Sequence, residues 1–468
     1  MNIRQNLLYS TLLTFSTYLV PLLVFPYISR VLGVEHIGAI DTVDGIIDYC
    51  VLFSMMGMTT LGIREIARHK DNHPELNQTF NNLFCLNAIS TGSIFVVLCL
   101  AIWLMPCLHQ STRLLTIGAI KLIANLFWIE WFYRGMEEFR YITLRSITVR
   151  VLFIFSVFLC VNTSADYITY YALFVGVVVF NAICNWSYKR RWVSLNFRHL
   201  NLQQYAKPFL FLGLFAILSA IYTKLSTPLL SMICGNEEAG YYSTATRMYQ
   251  VIIALIASLV NVLVPRMSVL IKEGNMLAIH HLYQKAFQLL FFFAIPIIIY
   301  IEVFAPNILA IFAGSGFEKA AWPMRIVIIQ TLFIGAEQIL ILQLLIPLRQ
   351  DKAIVRSGMC GVLTWMMMSY IFVPTWHSAG TAVVWVISEI VVLCSAMLRV
   401  RQVLKYTFPW IQLMRTCLYS IPYGIMGIFI WRITENSLLR IIVSAIVFLI
   451  YALLLWKKTN LIHSPQAS

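Results

Sequence analysis

Three aspartates lie close together in a part of the sequence that is otherwise apolar enough to cross a bilayer. Asp41, Asp44 and Asp48 follow one another in steps of three and four residues. These steps place their side chains within about 60° of one another around a helix. A charged group at the bilayer centre costs about 2.5 to 3.5 kcal/mol even on a lenient insertion scale, so it needs water or a counter-ion. The stripe therefore predicts a polar cavity whose carboxylates take up cations or protons.

Asp41 also has a purely structural explanation. It lies near the predicted start of the second membrane helix, and a first-turn aspartate is stabilised by the helix dipole. Asp44 and Asp48 lie one and two turns deeper, where the dipole effect has faded. They are the stronger candidates for a role in a cavity.

Three cations lie within other predicted membrane helices. Lys121 falls in the fourth, Lys224 in the seventh and Arg247 in the eighth. Long basic side chains can snorkel to an interface, but charges inside membrane segments commonly face protein or water and have partners there. We expect Lys224 and Arg247 to face a cavity, with Arg247 at a depth similar to that of the aspartate stripe.

The composition predicts the elements that hold these groups. Of the 468 residues, 60% are hydrophobic and only 12% are charged, whereas soluble domains are about one quarter charged. Repeated apolar runs of roughly 20 residues match the thickness of a bilayer. The chain is predicted to be an all-α polytopic membrane protein with about fourteen transmembrane helices. Its first apolar run is long enough to span, so no cleaved signal peptide is expected.

The net charge of +14 raises the question of nucleic-acid binding. Most of the 34 Lys and Arg residues fall in loops on one side when the N-terminus is placed in the cytoplasm, as the positive-inside rule demands. The basic excess is therefore an orientation signal that places both termini in the cytoplasm, and no nucleic-acid partner is predicted.

No catalytic site is indicated. The ten cysteines are scattered singly, which predicts neither a metal site nor a disulfide framework. The sequence carries no nucleophile–base motif and no phosphate-cradling loop, so neither catalysis nor a cofactor is expected.

The sequence also contains an internal repeat. A shift of about 202 residues aligns "PYISRVLGVEHIG" (26–38) with "PLLSMICGNEEAG" (228–240), and both contain the pattern P-x-x-S-x-x-x-G-x-E-x-x-G. An even number of helices in each copy gives parallel repeats. We predict two six-helix lobes, residues 1–203 and 204–405. A further helix pair and a cytoplasmic tail follow in residues 406–468.

The repeated pattern has a mechanical interpretation. Pro26 and Pro228 lie near the predicted outer ends of helices one and seven, where a proline kinks or ends a helix. We predict that both positions act as hinges. The glycine–glutamate turn that follows each proline is expected to begin the next helix, with the glutamate near its N-terminus.

Four aromatic residues lie near the predicted cytoplasmic end of helix four. They are Trp128, Trp131, Phe132 and Tyr133. Tryptophan and tyrosine are enriched where a membrane helix meets water. The cluster therefore predicts an interfacial aromatic belt.

Three stretches carry a family resemblance. "VFPYISRVLGVEHIG", "GIREIAR" and "EWFYRGMEEFRYITLRS" closely resemble the Wzx-type O-antigen flippases, the polysaccharide transporters of the superfamily that also contains MATE exporters and lipid II flippases. The resemblance is strongest over residues 1–150. It implies a V-shaped fold of two six-helix lobes with two extra helices.

The resemblance also implies a function. Such proteins move oligosaccharide units linked by pyrophosphate to undecaprenol from the cytoplasmic to the periplasmic leaflet of the bacterial inner membrane, alongside polymerase and chain-length proteins. Cations in a central cavity are expected to hold the pyrophosphate, and Lys224, Arg247, Lys121 and Arg30 are the candidates by charge and depth. The aspartate stripe is the candidate for coupling to H⁺ or Na⁺.

Two alternatives stay open at this point. An ion-coupled exporter of small organic molecules would need an acidic cavity, which the aspartates favour and Lys224 and Arg247 disfavour. A membrane-embedded glycan polymerase would need a sizeable polar outer loop. The longest predicted outer loop, residues 304–323, is largely apolar.

Overall fold

The computed structural model describes residues 3–109, 111–198, 200–434 and 436–458. Within these ranges the chain is helical, with turns and short connections and no β-strand. It divides into two compact units, Met1–Gly240 and Tyr241–Ser468. The repeat boundary at 203/204 is a separate prediction, drawn from sequence symmetry, and it stays a prediction.

The first unit is built around a long N-terminal helix that contacts most of the others. Its helices are α1 (Ile3–Met55), α2 (Met58–His69), α3 (His73–Leu104), α4 (Pro106–His109), α5 (Thr112–Trp128), α6 (Glu130–Gly135), α7 (Phe139–Cys160), α8 (Tyr167–Tyr188) and α9 (Gln203–Cys234). Helix α1 packs against α3, α5, α7 and α9, while α5 packs along α8. The next helix, α10 (Asn236–Asn261), begins in this unit and ends in the second.

The second unit is centred on two long helices. It contains α11 (Val264–Glu273), α12 (Met276–Phe312), α13 (Ala321–Ile328), α14 (Gln330–Gln338), a π-helical segment (Ile339–Leu345), α15 (Asp351–Leu404), α16 (Trp410–Ile433) and α17 (Ser437–Lys458). Helix α12 packs against α13, α14, α16 and α17, and α15 packs against α13, α14 and the π-helical segment.

The helices have the dimensions of membrane spans. In the described part of the chain, nine helical segments are long and apolar enough to cross a bilayer. Helices α1 and α15 are each broken once, at Gly33 and His377. Counted with these breaks, the described residues form fourteen long helical segments, as predicted. They are two in each of α1 and α15, one from α13 to the π-helical segment, and one in each of α3, α5, α7, α8, α9, α10, α12, α16 and α17.

Large apolar side chains cover the outer surface. Trp103 and Leu159 are each 76% exposed, which would be unfavourable in water over so wide an area. Lipid chains satisfy such a surface. The protein is therefore a multi-pass membrane protein.

Glycine sets the two breaks that the repeated pattern contains. Gly33 has φ 75° and ψ 170°, and Gly235 has φ 93° and ψ 169°. This region of backbone conformation is open almost only to glycine. The breaks lie about two turns after Pro26 and Pro228, both of which lie inside helices. The two glycines thus share one backbone conformation, while the repeat and the hinge role of the prolines stay predictions.

The predicted aromatic belt is wrong for three of its four residues. Trp131 is 2% exposed, and Phe132 and Tyr133 are fully buried. They lie on α6, which packs against α2, and Trp131 and Phe132 also contact Phe80 of α3. These rings therefore form a core between helices, because the break at Ile129 turns α6 inward instead of continuing α5 to the interface.

Candidate functional site

The aspartate stripe lies on the second half of α1. Because the helix resumes directly after Gly33, Asp41 lies about two turns beyond the break. The first-turn explanation for Asp41 is therefore wrong, since the dipole effect fades beyond the first turn. All three aspartates are partly buried.

Lys121 on α5 pairs with two of these aspartates. Its Nζ lies 2.6 Å from Asp44 Oδ1 and 2.9 Å from Asp48 Oδ1. The Lys121 side chain is only 11% exposed, and its ammonium also lies 5.3 Å from the centre of the Phe174 ring. One cation thus bridges two carboxylates away from bulk solvent.

Lys224 on α9 completes a chain of charges. Its Nζ lies 2.7 Å from Asp48 Oδ2, so each oxygen of Asp48 accepts a hydrogen bond from a different lysine. The Lys224 side chain is 51% exposed. We call Asp44, Lys121, Asp48 and Lys224 the ion-pair chain. It runs in this order from a buried end to an exposed end and contains two positive and two negative charges.

A tyrosine that sequence reasoning missed extends the buried end of this chain. Tyr171 on α8 donates its hydroxyl to Asp44 Oδ1 at 3.2 Å, and its side chain is fully buried. It lies in an apolar run that contains several tyrosines, and none of them is distinguished by spacing. Only the packing of α8 against α1 and α5 identifies it.

Close approach of α9 to α1 brings Lys224 to Asp48. A Cβ at Gly45 would lie 2.8 Å from Pro228 Cγ and 3.5 Å from the carbonyl oxygen of Lys224. One heptad earlier, a Cβ at Gly38 would overlap the carbonyl of Asn236. Small residues on one helix face are the usual means by which membrane helices pack closely. The sequence thus positions the lysine through two glycines on α1.

Replacing Gly45 by Ala should disturb this contact. Because the proline ring cannot move aside easily, we expect a loss of about 1 to 3 kcal/mol in unfolding free energy, the usual cost of overpacking. Unfolding of the protein in detergent, followed by tryptophan fluorescence, measures the loss. Gly176→Ala is the matched control, since a Cβ there meets nothing within 4 Å. Equal stability of the two variants would contradict the proposed packing role.

The other two candidate cations lie on the first half of α1 and on α10. Arg30 is exposed on the first half of α1 and donates to the main-chain carbonyl of Pro26 on its own helix. Arg247 lies on α10, is partly buried and belongs to the second unit. The expectation that Arg247 faces a cavity at a depth similar to that of the aspartate stripe stays a prediction.

A second polar cluster supports the first unit at the break between α5 and α6. Arg145 on α7 is 4% exposed and lies 3.4 Å from Glu130 Oε2, and it also donates to the Asn185 side chain on α8. Glu130 accepts from Arg134 at 2.7 Å and from the Trp128 indole at 3.1 Å. The charged groups of this second cluster pair with one another, which favours a structural role for the cluster.

The sequence matches a family model over more than half of its length. Residues 3–271 match the model described as "Polysaccharide biosynthesis protein". The chain belongs to this family. The matched range includes all members of the ion-pair chain as well as Arg30 and Arg247.

Similar proteins within this polysaccharide biosynthesis family are bacterial. A protein of Escherichia coli K12, named "Putative O-antigen transporter", is 26% identical over 166 residues, which cover 36% of this chain and 40% of that protein. A Shigella dysenteriae protein of the same name is 20% identical over 407 residues, which cover 83% of this chain and 98% of that protein.

Two solved structures share the fold of this family member. The lipid II flippase MurJ in an inward closed conformation superposes with a TM-score of 0.79 at 16% identity, and it covers 97% of this chain and 99% of its own. An inward-facing MATE multidrug transporter gives a TM-score of 0.61 at 15% identity, over 83% of this chain and 98% of its own. At these identities the likeness concerns the fold.

Proposed function

We propose that the protein is a flippase for undecaprenyl-pyrophosphate-linked oligosaccharide units of O-antigen or a related surface polysaccharide. It moves them from the cytoplasmic to the periplasmic leaflet of the inner membrane and catalyses no covalent chemistry. The observation that carries this proposal is the ion-pair chain, which presents Lys224 at its exposed end inside a membrane protein. The family, the names of the relatives and the fold of a lipid flippase support it.

The chemistry of such a substrate suits this chain of charges. The polyprenyl tail stays in hydrocarbon, while the pyrophosphate needs charge-assisted donors during its passage. Lys224 can leave Asp48 for a phosphate oxygen, because Asp48 keeps its second partner, Lys121. The lysine then exchanges one anion for another, and its charge is compensated before and after binding.

The four candidate cations have different proposed roles. Lys224 contacts the pyrophosphate, whereas Lys121 holds Asp44 and Asp48 in place from the buried side. Arg247 and Arg30 provide further positive charge for the headgroup. Rocking of two lobes, with Pro26 and Pro228 as hinges, gives alternating access to the site.

Coupling to an ion follows from the same exchange. When Lys224 binds phosphate, Asp48 loses one of its two lysine partners and becomes the carboxylate most open to H⁺ or Na⁺. Asp44 keeps both Lys121 and Tyr171, and Asp41 is the third candidate on the same face. Ion uptake at Asp48 would then stabilise the loaded state, and loss of the ion would let Asp48 take Lys224 back and release the substrate.

The ion-pair chain also bears on the exporter alternative. An exporter of organic cations needs carboxylates that are available to its substrate. Asp44 and Asp48 are engaged by Lys121 and Lys224 in equal number. Because its carboxylates are already paired, the site disfavours a cationic substrate. The polymerase and chain-length proteins are the proposed partners that act after transport.

A leaflet assay tests the proposal. Cells that lack the protein should accumulate lipid-linked repeat units on the cytoplasmic face, where an added membrane-impermeant glycosidase reaches them in inverted vesicles but not in intact spheroplasts. Restoring the wild-type gene should reverse the accumulation. Single, unpolymerised units on the periplasmic face would instead indicate a polymerase. Unchanged lipid-linked glycan with altered drug sensitivity would indicate an exporter.

A further inference from the structure

The second unit contains a cavity lined by basic residues. It measures about 500 Å³ and lies where the residues that follow the π-helical segment meet the first turns of α15. Among the described residues that line it, Arg349, Lys352, Arg356 and Arg399 are cationic and Asp351 is acidic. We name this cavity the basic pocket. Its excess of positive charge is suited to an anion.

One of these cations is held in a fixed orientation. The Arg399 guanidinium donates through Nε at 3.0 Å and through one terminal nitrogen at 2.7 Å to the side-chain oxygen of Gln350. Its other terminal nitrogen donates to Gln402 at 3.1 Å. Gln350 in turn donates to the Leu348 carbonyl at 3.2 Å. An arginine held this way loses little conformational freedom on binding.

The backbone adds donors at the same place. Helix α15 begins at Asp351 with Gln350 at the N-cap position, and no side chain caps its first turn. Arg349 has a φ of 55°, which turns the chain sharply into the helix. The first N–H groups of a helix lack partners within it and favour an anion. The residues of this first turn, Asp351 to Ala353, line the basic pocket, and the Ala353 N–H donates to the Gln350 carbonyl at 2.9 Å.

We propose that the basic pocket binds the phosphate group of a membrane lipid. The pocket lies at the ends of transmembrane helices, where lipid phosphates are found, and arginine and lysine are the residues that bind them. Two lipids present this chemistry, an anionic phospholipid and a polyprenyl pyrophosphate. The site belongs to the second unit and does not depend on the transport proposed for the ion-pair chain.

Lipid binding to matched variants tests the proposal. The full-length protein in detergent is titrated with phosphatidylglycerol, undecaprenyl pyrophosphate or inorganic pyrophosphate, and binding is followed by native mass spectrometry. The double variant Lys352→Gln/Arg356→Gln removes two exposed pocket cations. We expect it to bind the preferred lipid at least about tenfold more weakly, as expected for two lost charge-assisted contacts.

The control removes the same charge outside the pocket. Lys272→Gln/Arg401→Gln changes two exposed basic residues of the second unit that do not line the cavity, and it should bind within about twofold of wild type, like a neutral exposed change. Lys352→Arg/Arg356→Lys should retain binding and shows that the charge matters. The thermal unfolding of every variant is measured in the same detergent to confirm that it is folded.

Each outcome is decisive. Selective loss of phosphatidylglycerol binding in the pocket variant identifies a phospholipid site, and selective loss of undecaprenyl pyrophosphate binding identifies a substrate-docking site. Equal loss in the pocket and control variants, or no loss in either, overturns the proposal. The leaflet assay on the same variants keeps the two proposals distinguishable: if no lipid binds at the basic pocket, transport that depends on Lys224 can still be normal.

Discussion

Lys121→Met is expected to destabilise the protein by about 3 to 5 kcal/mol, because it leaves two carboxylates buried without their shared cation. Lys121 is 11% exposed and bridges Asp44 and Asp48 at 2.6 and 2.9 Å. Methionine fills a similar volume, so the lost charge accounts for most of the effect. The loss is measured as a shift in the denaturation midpoint of the protein in detergent.

A second change should restore most of this stability. In Lys121→Met/Asp44→Asn, Asp48 keeps Lys224 as its counter-ion, and the remaining pair is neutral. Lys207, an exposed residue at the start of α9, is the control, and Lys207→Met should change stability by no more than about 0.5 kcal/mol. If the double variant is as unstable as Lys121→Met alone, then charge compensation is not what the lysine provides.

Lys224→Gln is expected to reduce translocation by about 10 to 100-fold, the equivalent of one charge-assisted hydrogen bond to the pyrophosphate in the transport cycle. Stability should change by no more than about 1 kcal/mol, because the Lys224 side chain is half exposed and its ion pair is screened. The rate is measured in proteoliposomes, as the transfer of a fluorescently labelled lipid-linked glycan between leaflets.

Two controls separate a substrate contact from a structural one. Lys224→Arg keeps the charge and should retain most of the rate, whereas Lys207→Gln removes an exposed lysine of the same helix and should leave the rate unchanged. Normal transport by Lys224→Gln would remove this residue from the proposed site. Loss of transport together with a large loss of stability would assign it a structural role instead.

The contrast between these two lysines depends on where each lies in the chain of charges. Lys121 is surrounded by α1, α5 and α8, and its removal is expected to lower mainly the free energy of unfolding. Lys224 lies at the exposed end, and its removal is expected to lower mainly the translocation rate. Measuring both stability and translocation for both variants therefore tests the proposed difference between the buried and the exposed end.

The sequence alone determined the class of protein and the two helix breaks of the repeated pattern. Hydrophobic runs and the positions of proline and glycine are local properties, and they predicted an all-helical multi-pass membrane protein correctly. Gly33 and Gly235 lie at breaks because few other residues adopt their backbone conformation. The spacing of Asp41, Asp44 and Asp48 is also a local property, and the helical period alone is enough to place the three carboxylates on one face.

Only the tertiary structure decided which charges meet. Lys121 and Lys224 lie far from Asp48 in sequence, and no local pattern distinguishes them from a lysine that snorkels to the interface. Their contacts depend on the close packing of α5 and α9 against α1, and Gly45 permits the approach of α9. The same reason explains why Tyr171 was missed and why Trp131 was misplaced: the packing partner of a side chain is a property of the whole fold, whereas hydrophobicity and helical period are properties of a short segment.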